Sequence, residues 1–187
     1  SIATLVKNPN TQLGQVGVIG AGNTVDGANN SFLVGMRSTM TTADKVSAQG
    51  FNLNVSNATN TFLAGADNTV ANTSNVFAAG SNSSINKASN VLALGNNQVI
   101  GSSSTTAKNS ILLGDRIQFG NTVNAADAVA VGGDAKVASG AVAVGNKAQA
   151  LGANSIAIGN GAIATGSQAV GNGALAGNGG SAFGDGA

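Results

Sequence analysis

Seven aspartates, eight lysines and arginines, and many hydroxyl and amide side chains are what this 187-residue chain offers for chemistry; it has no His, no Cys and no Glu. A Ser-His-Asp or Cys-His relay, and a thiolate or imidazole metal site, are therefore excluded. The aspartates, Asp26, Asp44, Asp67, Asp115, Asp127, Asp134 and Asp185, are scattered and read as solvated turn residues rather than an acid/base pair. Gly20-Ala21-Gly22 lacks a third glycine at Val25, and no Gly-Lys-Ser/Thr occurs, so no phosphate loop is read. Gly132-Gly133-Asp134 stands alone, too little for a calcium-binding repeat. The expectation is a non-enzymatic chain with no catalytic or metal-ligating residues and no cofactor. A net charge of +1, no basic run and 3% aromatic residues argue against nucleic acid as a partner. No apolar run is long enough to cross a bilayer, so direct membrane insertion by this chain is not expected. No signal peptide is visible, and a fragment or mature piece is expected.

The residues left for recognition must be held by something repetitive. Gly20, Gly35, Gly50, Gly65, Gly80 and Gly95 are spaced 15 apart, and the series continues through Gly114, Gly132, Gly145, Gly159, Gly171 and Gly184 at spacings of 19, 18, 13, 14, 12 and 13. Three before each anchor stand residues such as Phe32, Phe62, Phe77, Leu92, Ile111, Val129, Val142 and Ile156; one before stand Ile19, Val34, Leu94, Leu113, Val131, Val144 and Ile158. Five after it stand Val25, Met40, Val55, Val70, Ile85, Ile100, Phe119 and Val137. Both sets have the two-residue period of strands, so each repeat predicts two short strands with the glycine between them. Glycine permits the sharp turn at positive φ. The opposite turn is marked by Asn30, Asn60, Asn75, Asn90, Asn109 and Asn154, which tolerate the left-handed region and could stack into an amide ladder. A helix fails on period, and a hairpin meander would need a reversal pair at every turn. The prediction is a parallel stack of coils.

The first strand is apolar on both faces. Its second face, two before the anchor, carries Leu33, Leu63, Leu112, Ala130, Ala143 and Ala157. With the larger Val, Ile and Phe columns assigned to the coil interior, this alanine-rich column is expected to pack against other copies of the chain in a closed cyclic oligomer. The second strand's outward column, Thr24, Thr39, Asn54, Thr69, Ser84, is polar and expected to face water. Two coils are stretched, near Gly101–Thr106 and Gly120–Asn124. Insertions in solenoids go to loops and often to the binding side. The candidate ligand-binding residues there are Ser103, Thr105, Lys108, Arg116, Asn121 and Asn124. Simple length drift where two repeat types meet is an equally good account of the stretching. A flat outer face around Arg37, Asp67 and Asn82 is the rival site.

From Ala141-Val142-Ala143-Val144-Gly145-Asn146-Lys147-Ala148 to Ser155-Ile156-Ala157-Ile158-Gly159-Asn160-Gly161-Ala162 the chain resembles the Yersinia-adhesin-like head repeats of trimeric autotransporter adhesins. The resemblance is specific from about Ala128 to Gly184. It is looser from Gly20 to Gly114, where the period is 15 and Phe or Leu replaces the first Val. It implies an all-β, left-handed parallel β-roll or β-solenoid of short two-strand coils, assembled as a homotrimer. It further implies a Gram-negative cell surface, with anchorage in the outer membrane through a stalk and C-terminal barrel outside this chain. Family members bind host collagen, fibronectin, laminin or carcinoembryonic-antigen-related adhesion receptors.

The whole chain, 1–187, is read as one β-roll domain. It comprises repeats of about 15 residues over 16–114, longer coils over 96–131 and 12- to 14-residue family-like repeats over 128–187. The expected function is host attachment as an adhesin head, contributing to virulence. A structural spacer in a surface fibre is the alternative. An ice-binding solenoid is the third reading, suggested by Thr24, Thr39 and Thr69; it is weakened by the mixed neighbouring column Gly22, Arg37, Asn52, Asp67, Asn82 and Asn97.

Overall fold

A chain with a two-residue apolar period and a glycine at each anchor must turn often, and it does so without forming a helix among the described residues. The computed structural model describes residues 5–7, 15–102, 104–119 and 124–187. Its strands form a parallel β-solenoid of about 11 turns. Register follows the sequence repeat: Val55 pairs with Val70 and Gly65 with Gly80. Farther along, Val129 pairs with Val142 and Val142 with Ile156.

The coils come in two shapes. In the 15-residue coils the backbone enters the left-handed region at three corners, for example Asn52 (φ 52°), Asn57 (φ 47°) and Asn60 (φ 46°), then again at Asp67, Asn72 and Asn75. The strands Thr39–Phe51, Asn54–Ala66 and Thr69–Ser81 run through two of these corners and carry a short third side, such as Ala58-Thr59. In the shorter C-terminal coils that third side is gone. Each coil there has two short strands, such as Val142–Val144 and Gln149–Ala150. The two-strand expectation therefore describes the C-terminal coils, and the 15-residue coils add a side because they have residues left over after two strands and two turns. Asn and Asp occupy most corners because their short side chains tolerate positive φ.

The anchor glycines are required sterically. Gly50 sits at φ 147°, and a Cβ there would overlap the carbonyl of Gly65 one coil on. Gly145 stands in the same relation to Gly159. The coils are so closely stacked that no side chain fits at this column.

The core is a file of small and medium side chains down the solenoid axis. It includes Met40, Val55, Val70, Ile85 and Ile100 five after each anchor, and Val46, Val76 and Val91 four before the next. After Val137 it becomes almost purely alanine: Ala141, Ala143, Ala148, Ala150, Ala157, Ala162 and Ala164 are all fully buried. The expected oligomer-contact residues Leu33, Leu63, Leu112, Ala130, Ala143 and Ala157 belong to this core, at 0–1% exposure within the single chain. The face assignment is thereby corrected. Those six side chains fill their own coil, and the columns at either side of them point outward. Larger groups such as Met40, Ile85 and Ile100 enter the core from the second strand, so in the first strand the Leu or Ala column suffices inside and the flanking Phe, Val and Ile columns lie outside. A one-residue phase error inverts a strand's two faces.

Buried polar groups close the corners. In four of the N-terminal coils a side chain from the preceding coil takes the backbone N–H three residues after the anchor, whereas in the C-terminal coils that N–H, as at Ala148 and Ala162, bonds the anchor's own carbonyl. Ser38 N–H donates to Asn23 Oδ1 (3.0 Å), and Leu53 N–H donates to Ser38 Oγ (3.1 Å). Ser83 N–H donates to Asn68 Oδ1 (2.9 Å), and Gln98 N–H donates to Ser83 Oγ (3.1 Å). No buried side-chain polar atom is left unpaired among the described residues.

Candidate functional site

With every inward column spent on the core, function must lie on the outer surface. Its largest feature is an apolar stripe along the outer face of the first strands. The stripe holds Phe32, Phe62, Phe77, Leu92, Ile111, Val129, Val142 and Ile156 in one column. Ile19, Val34, Leu94, Leu113, Val131, Val144 and Ile158 form the other. Phe32, Phe77, Ile111 and Ile158 are each at least 40% exposed. The rings of Phe62 and Phe77 stack at 4.7 Å between centroids and 14° between planes. Phe62, Phe77, Leu92 and Ile111, with Asn60, Asn75, Asn90 and Asn109, line an open groove of about 470 Å³. The stripe is polar at one coil only among the described 15-residue coils, at Ser47 and Gln49.

Bordering the stripe is the amide ladder that the sequence predicts. Asn60 Nδ2 donates to Asn75 Oδ1 (3.1 Å), Asn75 to Asn90 (2.9 Å), Asn90 to Asn109 (2.9 Å), and Asn109 to the Asp127 carboxylate (3.0 Å). All donors point the same way along the solenoid. Shorter ladders run along the other corners, which sequence reasoning missed. Asn57 donates to Asn72 (3.3 Å) and Asn72 to Asn86 (3.1 Å); Asn52 donates to Asp67 (2.7 Å) and Asn82 to Asn97 (2.6 Å). The Asn52-to-Asn97 column was expected to be part of a flat face. It is a corner, and its signal was the same asparagine recurrence seen at the predicted turn. Arg37 lies at this corner too, with its guanidinium 5.6 Å from the Phe51 ring centroid.

The candidate ligand residues do not converge. Thr105 is folded onto its own turn: Ser102 N–H donates to the Thr105 carbonyl (3.0 Å), and Thr105 N–H donates to Ser102 Oγ (3.1 Å). Lys108 is exposed on the strand Thr106–Leu113. Asn124 opens the next coil's strand Asn124–Ala126, opposite Thr106. Thr105, Lys108 and Asn124 thus lie on one side of two adjacent coils. Arg116 is at a different corner, two after Gly114. It forms a two-point ion pair with Asp134, Nε to Oδ1 at 2.7 Å and Nη2 to Oδ2 at 2.8 Å. That hydrogen bond and charge raise the Arg116 pKa and hold the Asp134 carboxyl below its usual value. Ser103 and Asn121 lie outside the described residues.

The second strand's outer side is polar and uncharged over most of its length. Beside Thr24, Thr39, Asn54, Thr69 and Ser84 it carries Asp26, Thr41, Ser56, Ala71 and Asn86, so threonine pairs only once, at Thr39 and Thr41. A regular hydroxyl lattice is absent there. No cluster of three or more potential metal ligands occurs among the described residues.

Residues 137–162 match the YadA head domain repeat, in two copies. The matched stretch is the alanine-cored part of the solenoid and includes the anchors Gly145 and Gly159. No curated protein matches the chain.

Proposed function

The chain carries head repeats of the trimeric autotransporter adhesin type, and we propose that it works as the adhesive head of a surface-exposed fibre, assembled as a homotrimer. The observation that carries this reading is the outward apolar stripe. It runs through the matched repeats at Val142, Val144, Ile156 and Ile158 and, interrupted at Ser47 and Gln49, extends beyond them back to Ile19. A stripe this long on a single solenoid favours burial against another copy, and three identical faces meeting around an axis bury it completely. The polar sides and corner ladders are then left outside, and they would meet the host partner: collagen, fibronectin, laminin or a carcinoembryonic-antigen-related receptor. Attachment of this kind is non-catalytic. A Gram-negative outer membrane, with a stalk and barrel as anchor, completes the proposed setting, and virulence is its consequence.

Thr105, Lys108 and Asn124, on one side of two adjacent coils, are the proposed contact area, with Ser103 and Asn121 on the same insertions. Arg116 would contribute from its own corner as an ion-paired wall. Three copies around one axis repeat that area, so weak contacts would add through avidity. The test is binding of the purified oligomer to immobilised collagens, fibronectin, laminin and epithelial adhesion receptors. Saturable binding to one of them, weakened by Lys108→Ala, supports an adhesive head. A folded oligomer that binds none of the panel supports the spacer role instead.

A further inference from the structure

The chain has three Asn-Gly pairs, Asn160-Gly161, Asn172-Gly173 and Asn178-Gly179, and the fold treats one of them differently. Asn-Gly is the dipeptide most open to spontaneous deamidation. The backbone nitrogen after the asparagine attacks the side-chain amide carbon, and glycine leaves that approach unhindered. All three pairs occupy the two central positions of a turn, with the glycine at positive φ: 68° at Gly161, 69° at Gly173 and 76° at Gly179.

The difference lies in the attacking nitrogen. Gly161 N–H donates to the Asn146 carbonyl (2.9 Å), and Gly173 N–H donates to the Asn160 carbonyl (2.9 Å). Each is bound to the preceding coil, in line with Gly186 N–H on Asn172 (2.9 Å). These nitrogens are rungs of the solenoid, so attack requires the coil to open first. In the turn Gly177–Gly180, closed by Gly180 N–H on the Gly177 carbonyl (2.9 Å), both Asn178 (φ 50°) and Gly179 have positive φ. This is the type I′ geometry for which Asn-Gly is favoured. Its second central N–H points away from the turn's own bond, and Gly179 N–H makes no hydrogen bond among the described residues. Asn178 and Gly179 are both exposed; the Cα side is equally open at Gly161 and Gly173, and the Gly179 nitrogen packs against Gly166, so the missing N–H hydrogen bond is what sets Asn178 apart.

We propose that Asn178 is a site of spontaneous deamidation in the folded protein, while Asn160 and Asn172 are protected by the coil ladder. The Gly179 nitrogen loses its proton and bonds to Asn178 Cγ, and the side-chain amide leaves as ammonia. The resulting five-membered imide adds one water across either carbonyl, giving aspartate or isoaspartate. The turn gains a carboxylate, and isoaspartate also lengthens its backbone by one carbon. Nothing besides water is consumed.

The experiment is peptide mapping by mass spectrometry of the folded chain aged at mildly alkaline pH. Each of the three pairs is followed by the mass gain of NH2 to OH and by isoaspartyl methyltransferase labelling. Asn178 is expected to convert at least about tenfold faster than Asn160 and Asn172, which react only through local opening. In urea-unfolded chain the three rates should converge, and Asn178→Gln should remove the fast phase. Equal rates at the three sites in the folded chain, or slower conversion at Asn178, would overturn the proposal.

Discussion

Gly50 and Asp134 show how differently single residues bear on this molecule. Gly50 holds a φ of 147°, and its α-carbon faces the carbonyl of Gly65. Gly50→Ala should lower the stability of the folded chain by at least about 2 kcal/mol, the scale of a strained backbone position with a steric conflict added. Urea unfolding followed by circular dichroism measures this, and an unchanged midpoint would contradict the close stacking. Asp134 is half-exposed and acts only locally. Its carboxyl is held low first by the hydrogen bond from Arg116 and then by Coulomb attraction to that guanidinium, against an opposing desolvation effect. A folded pKa below the unfolded one adds stability above the unfolded value and loses it as pH falls through the folded value. An exposed pair adds little in total. Arg116→Gln should therefore raise the Asp134 pKa in an NMR titration and leave the thermal midpoint at neutral pH unchanged.

The elements were legible in the sequence wherever side chains repeat at fixed phase. Gly20 to Gly95 at intervals of 15 gave the coil, the two-residue columns gave the strands, and Asn60-Asn75-Asn90-Asn109 gave a ladder that the structure contains. The third side of the 15-residue coils was not legible. Ala28, Ala43, Ala58 and Ala88 are small enough to pass for a turn, and only their burial marks them as core. Nor was the direction of the first strand. Phe62-Leu63-Ala64 is apolar at three consecutive positions, so pattern alone cannot choose the inward one. The candidate ligand residues were chosen from insertion length, which says where chain is extra but not whether its side chains meet. The ladder itself makes a prediction. Asn75 donates to Asn90, accepts from Asn60 and holds a φ of 54°. Asn75→Ala should cost about 1–3 kcal/mol, from the two lost hydrogen bonds and the left-handed backbone. Chemical denaturation of the variant checks it, and a neutral result would make the ladder ornamental to stability.

On the scale of the whole molecule, the solenoid has settled its own core and left one long apolar face outside. Two carboxylate substitutions two coils or less apart separate these roles. Ala143→Asp places an unpaired charge in the methyl-lined interior and should abolish the β-sheet circular dichroism signal. Ile158→Asp, on the outward stripe, should keep that signal and break the assembly, as read by size-exclusion chromatography with light scattering. If both variants unfolded alike, or both stayed assembled, the assignment of faces would be wrong.

The central claim is that this outward stripe is where three chains meet. Sedimentation equilibrium of the purified chain tests it most directly. The account predicts a single species of three times the 17.9 kDa chain mass, shifting to one chain mass in Ile158→Asp with the fold retained. A folded wild-type chain that sediments as a monomer with the stripe in water would contradict it.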